Sequence, residues 1–596
     1  MSSNNYWQKV VSRQLSRRRL ILGGVALGAG AALAACGGGG NKGGTSAGGS
    51  SAPSTSGGPP ADAAPAAQQV INLRLTGEPK SLDPQRANFS TEISPIKQLF
   101  SALFTYDENL NVVPDLAAEM PTVENGGISK DGKTYTIKLR DASFSNGRKI
   151  TANDVVYSMQ RELDPNIAGP YASNYYSIVG GQEYNTAFGT KDAPKTPSQA
   201  DLDKMKAALG ITAKDDKTVV FTLKAPAVSF LQQLAIWPAA VVPKEVIDKF
   251  GDKWTEAGNL VGSGPFLLKE WAHNDHITLV ANPNWHRGKA TLQQINIKMI
   301  EDDAALYAAY LAGEIDMDSA IPPANRKEVQ SPASPLNKEL HQQPELTTFA
   351  LQFNNKEKPF DNPKVRAAFG TAVDRKAFVD GVLQGVGNPT TTWIPKGMPG
   401  YDESVGKKYE VDAAKAKQLL ADAGFPNAQG LPKVTLMIRA SDTNRLVGQF
   451  LQDQLKKNLN VDLDVDYVDS ATYQGRFTKS QFQFVLGGWG ADWPFPDNWI
   501  DEHFSTGGSH NQYQYSNPKV DDLIKQVKAE TDTKKQLDLY AQIQKIVIDD
   551  DAGIVPIYNR AVFLLLKPKV KNFIVTGLDG EIRGDYNLWR TYIAKS

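Results

Sequence analysis

The sequence predicts an α/β fold, and three observations carry that prediction. Short alternating apolar stretches recur among longer amphipathic ones, a strand–helix–strand pattern lies toward the C-terminal end, and the chain is too long for one hydrophobic core. Residues 70–75 (Val-Ile-Asn-Leu-Arg-Leu) alternate with the period of two that turns one side of a strand inward, and residues 135–139 do the same. Residues 218–223 form a more continuously apolar strand. Helical spacing predicts helices over 363–383, 412–423, 443–458, 518–530 and 533–549. Predicted strands at 433–438 and 461–467 flank the third helix, and that β-α-β order favours a parallel pair.

The first 35 residues differ from the rest. Lys9, Arg13, Arg17, Arg18 and Arg19 make a basic start without Asp or Glu, and an apolar Gly/Ala-rich run follows over 20–35. This is the order of an export signal peptide, and the run is shorter than the roughly 20 residues that span a bilayer. It closes on Leu33-Ala34-Ala35-Cys36, which resembles the lipobox of bacterial lipoproteins. Small residues there admit a peptidase, and the thiol is the nucleophile that takes the lipid. Cys36 is the only cysteine, so no intramolecular disulfide can form. Ser16-Arg17-Arg18-Arg19-Leu20-Ile21 resembles a twin-arginine signal, leaving Tat and Sec export both open.

Subtracting the five basic residues of the signal from 65 basic and 65 acidic leaves 60 against 65, a net charge of about −5. That excludes the basic face of a nucleic-acid binder. Residues 36–69 are Gly, Ser, Ala, Pro and Thr with almost no large apolar side chain, and are expected to be a disordered tether reaching about 30 Å. Gly44-Thr45-Ser46-Ala47-Gly48 matches the G-x-S-x-G pattern of serine hydrolases, but no strand or helix is predicted there to hold the serine on a strained turn. About 520 residues remain for the folded body, enough for two or three lobes.

Several segments follow one another in a characteristic order over about 420 residues. They are Gly77-Glu-Pro-Lys-Ser-Leu-Asp-Pro84, Asp131-Gly-Lys-Thr-Tyr-Thr-Ile-Lys-Leu-Arg140, Phe144-Ser-Asn-Gly147 and Thr151-Ala-Asn-Asp-Val-Val-Tyr-Ser158. Gly262-Ser-Gly-Pro-Phe266, Asn282-Pro-Asn-Trp285, Leu311-Ala-Gly-Glu-Ile-Asp316 and Pro363…Arg366…Ala372-x-Asp374-Arg375 come next, and Gly488-Trp-Gly-Ala-Asp-Trp-Pro-Phe-Pro-Asp-Asn498 is last. Together they resemble the extracytoplasmic solute-binding proteins of peptide-type ABC transporters, solute-binding family 5. Thr151 and Asp154 would form a capping box at the head of one helix.

The resemblance implies a three-lobed periplasmic-binding-protein-like fold of type II, cluster C. Lobe I would combine 70–115, 255–345 and 555–596, lobe II would be 116–254, and lobe III 346–554. Lobes I and III would close over the ligand about hinges near 346–353 and 554–559. Asp492 matches the residue that meets the ligand ammonium in peptide-binding relatives, with Trp489 as pocket wall and Trp493 as a neighbouring candidate. Without the resemblance, Asp492 reads as a turn cap before Pro494, and the tryptophans as core. Asn88, Phe89 and Ser90 fall where relatives contact ligand, and read equally as a surface loop. Leu486 departs from the pattern: some oligopeptide binders place a basic residue there for the ligand carboxylate.

Enzymatic readings find little support. No phosphate-binding G-x-x-x-x-G-K-[ST] loop and no H-E-x-x-H helix is present. His273 and His276 have a metal-compatible spacing, but at the start of a strand an offset of three points them to opposite faces. Asp549-Asp550-Asp551 reads as a solvated helix end. The expectation is a binding protein without metal or cofactor, a monomer lipid-anchored on the extracytoplasmic face of the membrane. It would capture oligopeptides for an ABC permease and its ATPase. A metal chelate, opine or oligosaccharide remains an alternative ligand, and a cell-surface hydrolase the alternative class.

Overall fold

A computed structural model describes residues 60–190, 193–530 and 532–595. The expected signal over 1–35, Cys36, the tract to residue 59 and the Gly44–Gly48 pattern lie outside the described residues. The end of the expected tether is a correction. Ala63 bridges Ala594, Ala64 N donates to Ile593 O, and the buried Gln69 side chain donates to Ala64 O and Ile593 O while accepting from Ile593 N. Small residues at 61–69 suit a tether, but they also let this strip lie flat against the last strand.

A four-stranded sheet runs in the order Val70–Leu75, Gln294–Met299, His276–Ala281, Phe266–Ala272. The first pair is parallel and the others antiparallel. Its register sets Ile71, Ile295 and Leu279 side by side, and likewise Leu73, Ile297 and Ile277, all fully buried. His273 lies in the hairpin turn, where Asn274 takes φ 61°, rather than in the strand that His276 begins. Separate carboxylate pairs hold the two rings: Glu78 and Glu256 for His273, Asp275 and Glu270 for His276.

A second, antiparallel sheet joins Thr134–Lys138, Thr218–Thr222 and Ile211–Asp215. Tyr135 faces Phe221 and Ile137 faces Val219 in its buried layer. Helix Ala152–Glu162 packs on it, and Asp154 accepts the Thr151 N–H at 2.8 Å as expected for the capping box.

The largest sheet has seven strands. Its main path is Met317–Asp318, Val555–Leu566, Leu340–Phe353, Phe484–Gly490, Val434–Arg439, Leu463–Val468, and Asn388–Pro389 also pairs with Val555–Leu566. The last two strands on the path are parallel and joined by helix Asp442–Leu459, the expected β-α-β unit. Two expected helices are each broken. The one over 363–383 is Pro363–Ala372 followed by Arg375–Gly381, because Val373 and Asp374 turn extended and Asp374 caps the second helix through Ala377 N. The one over 533–549 is α-helical to Gln544 and then widens to a π turn over Lys545–Asp550. Carboxylates at its end are engaged: Asp549 accepts Gly406 N, and Asp551 accepts Tyr515 OH and Asn517 Nδ2.

Strand Leu340–Phe353 crosses the expected boundary between lobes I and III, paired with Val555–Leu566, which begins at the other expected boundary. Leu340–Pro344 pairs with residues 561–565, and residues 348–351 pair with 555–559; the ladder is interrupted between Pro344 and Thr348. Pro344 has no N–H to extend the ladder. Glu345, in the interruption, is buried and ion-paired with Arg560 and Arg583. The expected boundary at 345/346 cuts strand Leu340–Phe353, whereas the one at 554/555 falls at the start of Val555–Leu566, and Met317–Asp318 belongs to the same sheet.

Candidate ligand-binding site

Strand Phe484–Gly490 lies between Leu340–Phe353 and Val434–Arg439 and delivers the site residues at its C-terminal end. Glycine makes that end flat. A Cβ at Gly487 would stand 2.4 Å from Gln352 Oε1, and one at Gly488 3.0 Å from the Phe349 ring. Phe349 in turn stacks on Tyr558 at 4.9 Å. Beyond the strand, the chain turns through 491–496 into helix Asp497–Phe504.

Two cavities open here and share His510 in their walls. The larger, about 870 Å³, is lined by Asn88, Phe89, Tyr171, Leu486 and Trp489, among others. Arg439 is the one permanently charged side chain among the described residues of its wall, and it reaches over the Tyr473 ring at 4.9 Å. The smaller, about 480 Å³, is lined by Asp492, Trp493, Asp497, Asp501 and Glu502. Of the residues singled out from sequence, Asn88, Phe89 and Trp489 thus face one cavity and Asp492 and Trp493 the other. Ser90 is on neither wall: it opens helix Ser90–Leu99, whose first turn is held by Glu92 accepting the Asn88 and Phe89 N–H groups.

Asn498 organises the Asp492 end. Its Oδ1 accepts Asp492 N at 2.9 Å and Trp489 Nε1 at 3.3 Å, and its Nδ2 donates to Asp492 Oδ2 at 3.3 Å. That is the one hydrogen bond to the Asp492 carboxylate among the described residues, so the turn is capped by Asn498 and not by Asp492. Burial pushes the Asp492 carboxyl up to about 7, only partly opposed by Asn498 and by Lys97. Trp493 is buried and donates from Nε1 to Asp497 at 2.6 Å. His503 and His510 pack against the Trp489 ring at 4.4 and 4.7 Å, and burial lowers the pKa of both, so neither sets a positive charge beside Asp492 at neutral pH.

Sequence reasoning missed Asn498, the two histidines and the opposing wall. That wall comes from residues 170–177 and 225–233, within the expected lobe II; Ser229 donates to Asp497, and the Ser173 and Ser509 hydroxyls stand 3.4 Å apart. Asp497 and Asp501 are four apart on one helix, a spacing that places both on one face and was a readable signal.

Two cavities that share His510 in their walls, one carrying a carboxylate whose pKa burial raises, make up the candidate site. The chain belongs to the bacterial extracellular solute-binding proteins of family 5: the family model described as "Bacterial extracellular solute-binding proteins, family 5 Middle" matches residues 111–511. It is 31% identical to the periplasmic oligopeptide-binding protein OppA of Salmonella typhimurium, over 84% of this chain and 89% of the relative. Among solved structures, Haemophilus influenzae OppA in complex with RPPGFSPFR superposes with a TM-score of 0.76 at 27% identity, covering 88% of this chain and 99% of that one. The Escherichia coli murein tripeptide binding protein MppA gives 0.76 at 26% identity, covering 88% and 99%. The unliganded open form of MppA gives 0.66, also at 26%, covering 90% and 99%. This chain therefore superposes less closely on that open form than on the other MppA structure.

Proposed function

We propose that the protein captures extracellular oligopeptides, closes its lobes around them and delivers them to an ABC permease driven by its ATPase. The observation that carries this reading is Asp492: a half-buried carboxylate in a cavity wall, given one neutral donor, is completed by a ligand ammonium through a charge-assisted hydrogen bond. Trp489 walls the approach, and Asn88 and Phe89 close it from the first lobe. Arg439, beside the first turn of helix Asp442–Leu459, takes the ligand carboxylate in place of the basic residue absent at Leu486. The protein acts as a monomer and binds without catalysis, with lobes I, II and III bounded as the sequence suggests, apart from strand Leu340–Phe353, which crosses the hinge. Cys36 carries a lipid that holds the body at the extracytoplasmic face after Tat or Sec export.

Incubation with a mixed peptide pool, followed by mass spectrometry of the co-purified ligand, tests the reading. Intact peptide supports capture, and progressive cleavage or an exclusively non-peptide ligand overturns it. Cys36→Ala releases the protein into the medium with ligand affinity unaltered; retention at the cell surface refutes the anchor.

A further inference from the structure

The two cavities differ in charge. Carboxylates stand in the wall of the smaller one, with Lys528 among them at 3.5 Å from Asp501. The larger wall holds no Asp, Glu or Lys among its described residues, and Arg439 is its one permanent charge. Glu502 belongs to the smaller cavity and turns its carboxylate to Ser509, whose hydroxyl it accepts at 3.0 Å. Lys80 stands over the Phe89 ring at 5.1 Å and sets a second cation beside the larger wall.

The surface of the larger cavity is aromatic and only partly covered. Phe89, Phe349, Phe477 and Trp489 line it, and each is half-buried. Neighbouring side chains fix three of these rings. Phe349 stacks on Tyr558, Phe477 stacks on Tyr473 at 5.7 Å and on Phe482 at 5.4 Å, and the Trp489 indole is tied to Asn498. At exposed Gly488 no Cβ covers the Phe349 ring, which a Cβ there would meet at 3.0 Å. Apolar surface left in water gains free energy when a ligand covers it, and rings already held in place lose little freedom in the process. Ring faces also attract cations, but here the protein supplies its own: Arg439 lies over Tyr473 at 4.9 Å and Lys80 over Phe89. A cationic side chain entering this space would leave water without meeting a carboxylate, and would face Arg439.

We propose that the larger cavity selects an aromatic side chain, that of phenylalanine, tyrosine or tryptophan, on the last residue of the ligand, and rejects lysine and arginine at that place. The inference rests on the peptide reading, with the α-ammonium at Asp492 and the terminal carboxylate at Arg439. A ring entering here makes edge and face contacts that add to the gain from buried area. An unpaired cation is penalised at the same place, so attraction and rejection act together.

Calorimetry on the mature protein tests this with alanine tripeptides and tetrapeptides whose last residue is alanine, phenylalanine or lysine. The phenylalanine peptide is expected to bind about tenfold or more tighter than its alanine counterpart at one of the two lengths, and the lysine peptide no tighter than the alanine one. The phenylalanine advantage should fall to about threefold or less in Phe477→Ala or, should that variant fold poorly, in Phe89→Ala. Equal binding of the phenylalanine and alanine peptides at both lengths overturns the aromatic subsite and leaves peptide capture standing. A lysine peptide that binds as tightly as the phenylalanine one does the same. An advantage unchanged in both variants also overturns the subsite. Failure of all six peptides to bind removes the peptide reading and this subsite with it.

Discussion

Asn498 grips Asp492 at both ends, its Oδ1 accepting the Asp492 backbone N–H at 2.9 Å and its Nδ2 donating to Asp492 Oδ2 at 3.3 Å. The same Oδ1 takes the Trp489 indole N–H, so one buried amide sets both the carboxylate and the aromatic wall. Asn498→Ala leaves the indole and one backbone N–H unsatisfied and should lower the stability of the ligand-free protein by about 1–3 kcal/mol. Peptide affinity should fall roughly tenfold through loss of position. Asp492→Ala removes the charge itself and should cost more, on the order of 10- to 100-fold, for a charge-assisted bond. Calorimetry on both variants checks the order of the two effects, and equal affinity of Asp492→Ala and the unaltered protein would refute the ammonium contact.

Ligand binding should release protons. With its pKa pushed up to about 7, Asp492 is mostly protonated at pH 6 in the empty site, and an ammonium can bind there only as the proton leaves. Affinity therefore rises from pH 5 toward pH 7, by at most about tenfold per unit for one group. It falls again above pH 8, where the ligand's own α-amino group, with a pKa of about 7.7–8.0, loses its charge. Binding enthalpies at pH 6 in buffers of different ionisation enthalpy give the proton count directly; a count of zero contradicts the assignment.

The fold was largely legible because local patterns and tertiary demands agree. Ile71, Leu73 and Leu75 alternate in sequence and are buried in the sheet, and the β-α-β unit is found with its helix in place. Departures arise where distant residues decide. The helix over 363–383 breaks where Arg375, buried, sends its guanidinium to the carbonyls of Tyr409 and Pro556. The site was half legible. Asp492 and Trp489 sit in a recognisable segment, and Asn498 closes that same segment, but its role depends on a turn that brings residue 498 back onto 492. Tyr171 and Ser229 reach the cavities from an excursion some 260 residues or more away in sequence, which no local spacing encodes.

Gln69 should prove to be the clasp of the N-terminal strip. Three hydrogen bonds tie its side chain to Ala64 and to both polar groups of Ile593, 524 residues away. Gln69→Ala strands those groups and should destabilise the docked strip by about 2–3 kcal/mol. Hydrogen exchange at Ala64, Ile593 and Lys595 is expected to accelerate, while the central strands keep their protection. Unchanged exchange at Ile593 would show that the strip is held by something else.

Glu345 gives the crossing strand an acid-sensitive bond. Burial alone would raise its pKa, but the guanidinium groups of Arg560 and Arg583, with the Thr347 hydroxyl, outweigh it and hold the carboxyl at about 2. A carboxyl depressed in the folded state stabilises above its unfolded pKa near 4.5 and loses that contribution as pH falls toward 2. Asp492 and Asp501 act in the opposite sense, weakening the ligand-free fold as pH rises from 3.8 to about 7. The two windows barely overlap, so they can be measured apart. Glu345→Gln should flatten the thermal-stability curve between pH 2 and 4.5 and leave the slope between pH 5 and 7 intact. At neutral pH it should cost about 2–3 kcal/mol, less than breaking a wholly buried pair because Arg560 remains 44% exposed. Because Glu345 sits where the ladder is interrupted between Pro344 and Thr348, its loss should also loosen the crossing itself. Small-angle scattering of the ligand-free variant is expected to show a more open average shape, recovered on adding peptide, and a scattering profile identical to that of the unaltered protein would assign Glu345 to stability alone.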